Sequence, residues 1–159
     1  MQNRKSLGLE EARTIGEAVI EAARNSKPPQ DTLPIAVAVV DNAGELIYFA
    51  KMDGNSPSST IMAINKAYTC IRFQMDGIEA HVRFLQDSID DYGKSGAMGK
   101  AKRDMSWFGD PRLIPMPGAL LVRSSDGAIL GAVAISGRSA TGPMGDEDLA
   151  QIGVKACPK

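Results

Sequence analysis

Pro34-Ile35-Ala36-Val37-Ala38-Val39-Val40-Asp41-Asn42-Ala43-Gly44-Glu45-Leu46-Ile47-Tyr48-Phe49-Ala50-Lys51-Met52 decides the fold. Residues 34–40 form a short apolar run with the β-branched bias of a strand buried on both faces. Asp41-Asn42-Ala43-Gly44 is a turn cluster whose glycine tolerates positive φ, and Glu45 to Met52 supplies a second strand, so the stretch reads as a hairpin. Asp53-Gly54-Asn55-Ser56-Pro57-Ser58-Ser59 then collects turn formers and helix caps. From Thr60 the period changes to that of a helix, with Ile61, Ile64, Ala67, Tyr68 and Ile71 on one face and Lys66 and Arg72 off it. Polar groups therefore gather where the second strand stops and the helix starts: Lys51, Asp53, Asn55 and Ser56. A strand end beside the free N–H groups of a helix N-terminus is a common place for a ligand, and turn and cap chemistry alone also accounts for these residues.

Working outward, Leu9, Ala12, Ile15, Val19, Ala22 and Ala23 make an amphipathic stripe, a first helix stopped near Asn25-Ser26 and closed by Pro28-Pro29. After the central helix, Ile78, Val82, Leu85, Ile89 and Tyr92 give the strongest helical periodicity in the chain. Gly93 to Asp104 holds three glycines and four cations and reads as a basic loop or lid. Gly93-Lys94-Ser95 is not a phosphate loop, because Ile89 stands where its leading glycine belongs. Leu113 to Gly118 is expected to be a short edge strand interrupted by prolines. Residues 119–123 and 128–136 form a second hairpin about Asp126-Gly127. Gly137 to Gly145 is a glycine-rich loop, and Asp146 is expected to cap a last helix that ends at Pro158. Hairpins flanked by helices predict an α+β protein with an antiparallel sheet.

The 159 residues fit one domain spanning 1–159, with 43% apolar and 23% charged residues. The formal net charge of −1 argues against a general nucleic-acid or anionic-membrane surface. No apolar run approaches the length of a membrane span. The basic N-terminus has no apolar segment behind it, so no secretory signal is expected. Cys70 and Cys157 lie far apart without metal-type spacing, and a reducing, cytoplasmic setting is expected.

Val37-Ala38-Val39-Val40-Asp41-x-x-Gly44, Phe49-Ala50-Lys51-Met52-Asp53-Gly54 and Ala63-x-x-Lys66-Ala67-x-Thr69 resemble the GlcG/HbpS family. Pro117-Gly118, Gly131-Ala132-Val133-Ala134-Ile135-Ser136-Gly137 and Asp146-Glu147-Asp148-Leu149-Ala150 agree with it, in the expected order. That family includes haem-binding extracellular proteins and the C-terminal domain of PduO-type corrinoid proteins. The resemblance implies a profilin-like fold with a five-stranded antiparallel sheet flanked by helices, assembly into a homo-oligomer, and a small-molecule ligand such as haem or a corrinoid-like tetrapyrrole. It also places Lys66 at the lysine of the family's Lys-Ala-x-Thr motif and so gives it a site role. Between Ile78 and Phe108 the chain runs longer than the relatives it resembles.

Candidate ligand-binding residues are Lys51, Asn55, Lys66, Trp107, Pro117, Gly118, Ser136 and Gly137. Lys66 offers a cation to a carboxylate or phosphate, or a partner to Asp53. Pro117-Gly118 and Ser136-Gly137 offer backbone N–H groups to an oxyanion. His81 is the only histidine, so any imidazole chemistry, haem ligation included, has to use it. Its place one position before Val82 also fits a half-exposed structural residue. A metal site built from several histidines is excluded, and a carboxylate-only site lacks a motif. The competing reading is a cofactor-independent isomerase, hydratase or hydrolase acting on an acidic or aromatic intermediate. Its catalytic residues would be His81, Lys66, Asp53 and Arg83, with His81 as acid/base and Arg83 or Lys66 as anion clamp. Trp107 and Phe108, behind the basic loop, would close over such a ligand.

Overall fold

The computed structural model describes residues 5–85 and 105–158. The elements are α1 (Leu9–Asn25), β1 (Ala36–Asp41), β2 (Leu46–Lys51), α2 (Pro57–Phe73), α3 (Gly77–Phe84), a 3₁₀ turn (Met105–Phe108), β3 (Ala119–Arg123), β4 (Ile129–Ser136) and α4 (Asp146–Ala156). The four strands form one antiparallel sheet in the order β2-β1-β4-β3. Both expected hairpins are present, and β1 and β4 pair at its centre, Val37 opposite Ile135 and Val39 opposite Val133.

The two faces of the sheet carry side chains of different size. Alternation along a strand sends Val37, Val39, Val133 and Ile135 to one side, where they join Ile15 and Val19 of α1 and Leu149 of α4 in the largest apolar cluster. The other side presents Ala36, Ala38, Val40, Ala132 and Ala134, and α2 lies on it through Ala63, Ala67 and Cys70. An alanine floor lets a helix approach closely only if the helix also presents small residues. The buried residues of α2 are accordingly mostly small, Ser59, Ala63, Ala67, Thr69 and Cys70, with Lys66 and Tyr68 buried beside them. Ile61, on the expected apolar stripe, is 55% exposed, and Lys66, expected off the stripe, is 4% exposed. The rest of the expected stripe holds, with Ala67 and Tyr68 buried and Ile64 and Ile71 half-buried against the sheet, so the close approach of the helix displaces the pattern only at Ile61 and Lys66. Helix α2 also starts earlier than Thr60: Ser56 is its N-cap and Pro57, whose fixed φ suits a first helical residue, opens it.

Four strands replace the expected five among the described residues, since Leu113 to Gly118 forms no strand. Pro115 and Pro117 have no N–H to donate to a ladder. The segment is pinned individually instead: Ile114 N donates to Thr69 Oγ1 at 2.8 Å, and the Gly118 carbonyl accepts from Ile135 N at 2.8 Å. The helix expected over Ile78 to Tyr92 is described as α3 as far as Phe84. Ile89, Tyr92 and the basic loop Gly93 to Asp104 lie outside the described residues. Among the described residues, no helix is long and apolar enough to cross a membrane.

Candidate functional site

At the end of the sheet where β4 finishes, α2, β4 and α4 meet around Lys66. Its Nζ donates to the Ile135 carbonyl at 2.9 Å and to Asp146 Oδ2 at 3.1 Å. The carboxylate of Asp146 is only 5% exposed. The other oxygen of Asp146 accepts from Arg138 N at 3.0 Å, and Glu147 Oε2 accepts from Gly118 N at 2.7 Å. Burial pushes both carboxyls above their ordinary range, against the pull of Lys66 on Asp146 and of the Gly118 N–H on Glu147. Gly118, at φ +86°, has to be glycine on two counts: a Cβ there would lie 2.5 Å from Asp146 Cβ and 3.3 Å from Lys66 Nζ.

Beside this cluster, Asn55 Nδ2 donates to the Pro34 carbonyl at 2.9 Å and the Ser136 carbonyl at 3.4 Å, and a Cβ on Gly137 would meet that nitrogen at 2.6 Å. Asn55 Oδ1 is buried and has no partner among the described residues. Arg138 closes the periphery, donating to the Leu33, Met144 and Ala23 carbonyls at 2.7, 2.9 and 2.9 Å. The sequence-predicted residues Asn55, Lys66, Pro117, Gly118, Ser136 and Gly137 thus do gather at one end of the sheet. They gather as a packed polar cluster. Its cation is neutralised from within by Asp146, so the expected partner Asp53 is replaced, and the Gly118 N–H is already taken by Glu147. Asp146 is the first residue of α4, with Gly145 as N-cap, so its carboxylate ties α4 to α2 where a cap was expected.

The remaining candidates stand elsewhere. Lys51, Asp53 and Arg83 are exposed, and Trp107 is 90% exposed. His81, expected half-exposed, is fully buried, with Nδ1 3.1 Å from the Pro115 carbonyl. It faces inward because Gly77, at the start of α3, lies directly against the Met116 carbonyl and draws the helix onto residues 115–119. Among the described residues, no group of three His, Cys, Asp or Glu side chains is placed to hold a metal ion.

Two open hollows lie away from the Lys66 cluster. One, of about 440 Å³, is at the opposite end of the sheet, lined by Lys5, Asn42, Ile71, Gln74 and Asp126 among others. The second, of about 400 Å³, is lined by Met105, Ser106, Gly109, Asp110, Pro111 and Leu113. Its wall belongs to the turn that carries Trp107 and Phe108. Phe108 packs its ring against Phe73 at 5.1 Å and Phe84 at 5.8 Å, so the turn is anchored to α2 and α3. Next to this hollow is a group that sequence reasoning missed. Tyr68 OH donates to Asp110 Oδ2 at 2.5 Å, and the Arg112 guanidinium lies 3.9 Å over the Tyr68 ring. Only the Asp110-Pro111 turn signal pointed here, because Tyr68 and Arg112 are 44 residues apart.

The molecule is thus a layered α+β protein whose buried polar cluster holds helices together and whose two described hollows lie outside it. It belongs to the HbpS-like family: the family model described as haem degrading protein HbpS-like matches residues 7–155. Among solved structures it is similar to Klebsiella pneumoniae protein ORFY, with a TM-score of 0.75 and 23% identity over 98% of this chain and 93% of that one. The haem complex of PduOC aligns with a TM-score of 0.72 and 21% identity over 95% of this chain and 94% of that one. HbpS aligns with a TM-score of 0.72 and 22% identity over 100% and 95%. At these identities the likeness is one of fold. A search of curated proteins gave no match.

Proposed function

We propose that this protein binds a small molecule of the tetrapyrrole class, haem in the first instance, in the hollow bounded by Met105 to Leu113. The observation that carries the reading is the combination of that hollow, about 400 Å³, with an anchored aromatic turn on its wall whose Trp107 is 90% exposed. Exposed tryptophan is costly to leave in water and suits stacking against a flat ring. The residues fit the group. Met105 brings a thioether, a known kind of axial ligand for haem iron, to the lining, and Trp107, in the same turn, carries an exposed ring. Imidazole ligation is a different matter, since His81 is inside the protein against the Pro115 carbonyl. Bound haem would supply a redox-active iron. The chain's own part is to stack, orient and shield it from water. Membership of the HbpS-like family and the likeness to the PduOC haem complex support the same reading. The burial of His81 and Lys66, each held by groups of the protein itself, speaks against the acid/base alternative.

Haem titrated into the full chain tests this. The expected result is a shifted Soret band that saturates near one haem per chain, with parallel quenching of Trp107, the sole tryptophan. Met105→Ala is expected to alter the bound spectrum. A Soret band identical to free haem, with quenching that never saturates, overturns the reading.

A further inference from the structure

From Met105 to Ile114 the chain runs along α2 as a strap fastened at successive places. The Phe108 ring packs against Phe73 at 5.1 Å and Phe84 at 5.8 Å, two rings that stack on each other at 4.6 Å. Asp110 Oδ2 accepts from the buried Tyr68 hydroxyl at 2.5 Å, and the Ile114 N–H donates to Thr69 Oγ1 at 2.8 Å. Gly109, at φ +62°, stands between the Phe108 and Asp110 fastenings, and a Cβ there would meet nothing within 4 Å. Backbone conformation and not crowding calls for glycine at this position, which makes it a pivot. Every described residue that lines the hollow of about 400 Å³ belongs to this strap. The hollow therefore keeps its shape only while both sides of the pivot are held.

The far side of the pivot depends on Asp110. Its Oδ1 accepts from the Arg112 backbone N–H at 3.0 Å and from Arg112 Nε at 3.1 Å, and its Oδ2 accepts from Arg112 Nη2 at 3.3 Å. Arg112 travels with the strap, so these bonds shape the turn without tying it to the body of the molecule. Tyr68 supplies the tie. It is 6% exposed on α2, its hydroxyl also accepts from Arg112 Nη2 at 2.5 Å, and the guanidinium lies 3.9 Å over its ring. An exposed ion pair by itself holds its side chains weakly, which leaves the buried phenol as the decisive partner. We infer that Tyr68 is the positioning residue of this hollow, its hydroxyl holding Asp110, and with it the wall from Asp110 to Leu113, in place before a ligand arrives. The inference rests on the ligand-binding reading above for what the hollow holds, and adds to it what sets the hollow's shape. A preformed wall spares the ligand the cost of ordering it. Donor and acceptor both persist at neutral pH: burial and then Asp110 keep the proton on Tyr68, while Tyr68 and then Arg112 hold Asp110 down to about 2.

Tyr68→Phe removes the hydroxyl and keeps the ring under Arg112. In the ligand-free full chain, the NMR order parameters of the Asp110, Arg112 and Leu113 amides are expected to fall from about 0.85 to below about 0.6, with those of β1 and β4 unchanged. Haem, followed by its Soret shift, is expected to bind about tenfold more weakly. In an Asp110→Ala background the same Tyr68→Phe change is expected to do nothing further, because both substitutions act through one contact. Order parameters that stay rigid in Tyr68→Phe overturn the inference. A loosened strap that binds haem as tightly as wild type overturns it too, and so do losses that multiply in the double variant. If the wild-type chain binds no haem, the ligand reading fails alone, and the order parameters by themselves decide whether Tyr68 holds the wall.

Discussion

Replacing Lys66 by methionine removes the cation at the centre of the sheet-end cluster while keeping the length of the side chain. Two buried acceptors then lose their donor, Asp146 Oδ2 and the Ile135 carbonyl. Breaking a buried ion pair from one side costs about 3–5 kcal/mol, because a charge is left in a poor solvent. The orphaned carbonyl adds about 1 kcal/mol. Two effects offset this. Methionine contributes apolar burial, and Asp146, whose pKa burial already raises, is relieved by taking up a proton. The net loss is about 3 kcal/mol, and at about 2–4 °C of Tm per kcal/mol for a chain of this size the midpoint falls by about 6–12 °C. Urea unfolding followed by far-UV circular dichroism measures it, with Asp146→Asn and the double variant completing a cycle. The double variant is expected to be more stable than the sum of the two single losses by about 1–3 kcal/mol. A Lys66→Met loss below about 1 kcal/mol, or simple additivity, would refute the claim that this lysine serves the structure.

Two further outcomes follow from the same geometry. The folded chain holds the protons of Glu147 and Asp146 more tightly than the unfolded chain does, so stability falls as pH rises from the ordinary carboxyl values, 4.5 for Glu and 3.8 for Asp, through the raised folded values. Glu147→Gln keeps an acceptor for the Gly118 N–H and cannot titrate. Its stability relative to wild type is expected to improve between pH 4.5 and 7, and urea midpoints that stay parallel across that range would count against it. On the alanine face, Ala38→Leu puts a large side chain under α2 and is expected to cost about 1–3 kcal/mol, read as a lowered Tm. A neutral result would mean that α2 does not sit closely on that floor.

The lysine cluster and the sheet illustrate two kinds of legibility. Strands, turns and both hairpins were readable because β-branched runs and the Gly44 and Gly127 turns are local signals. The family resemblance likewise depended on short segments in order, and the family match bears it out over residues 7–155. The fifth strand was misread because the run Leu113 to Gly118 looks extended, but Pro115 and Pro117 within it have no N–H to give to a ladder. The role of Asp146 was misread because a cap and an ion pair demand the same residue at the same place. Only its partner 80 residues away distinguishes them.

The sequence by itself determined the α+β class, the two hairpins with the helices around them, and the family, since each follows from neighbours along the chain. Tertiary structure alone decided that α2 turns Ile61 outward and Lys66 inward, because an alanine floor selects partners by size as well as by hydrophobicity. It also decided that Lys66 is neutralised from within, that His81 is enclosed, and that Tyr68, Asp110 and Arg112 meet beside a hollow. Those outcomes depend on contacts between distant residues, and the free energy of a buried charge is set by what surrounds it in space.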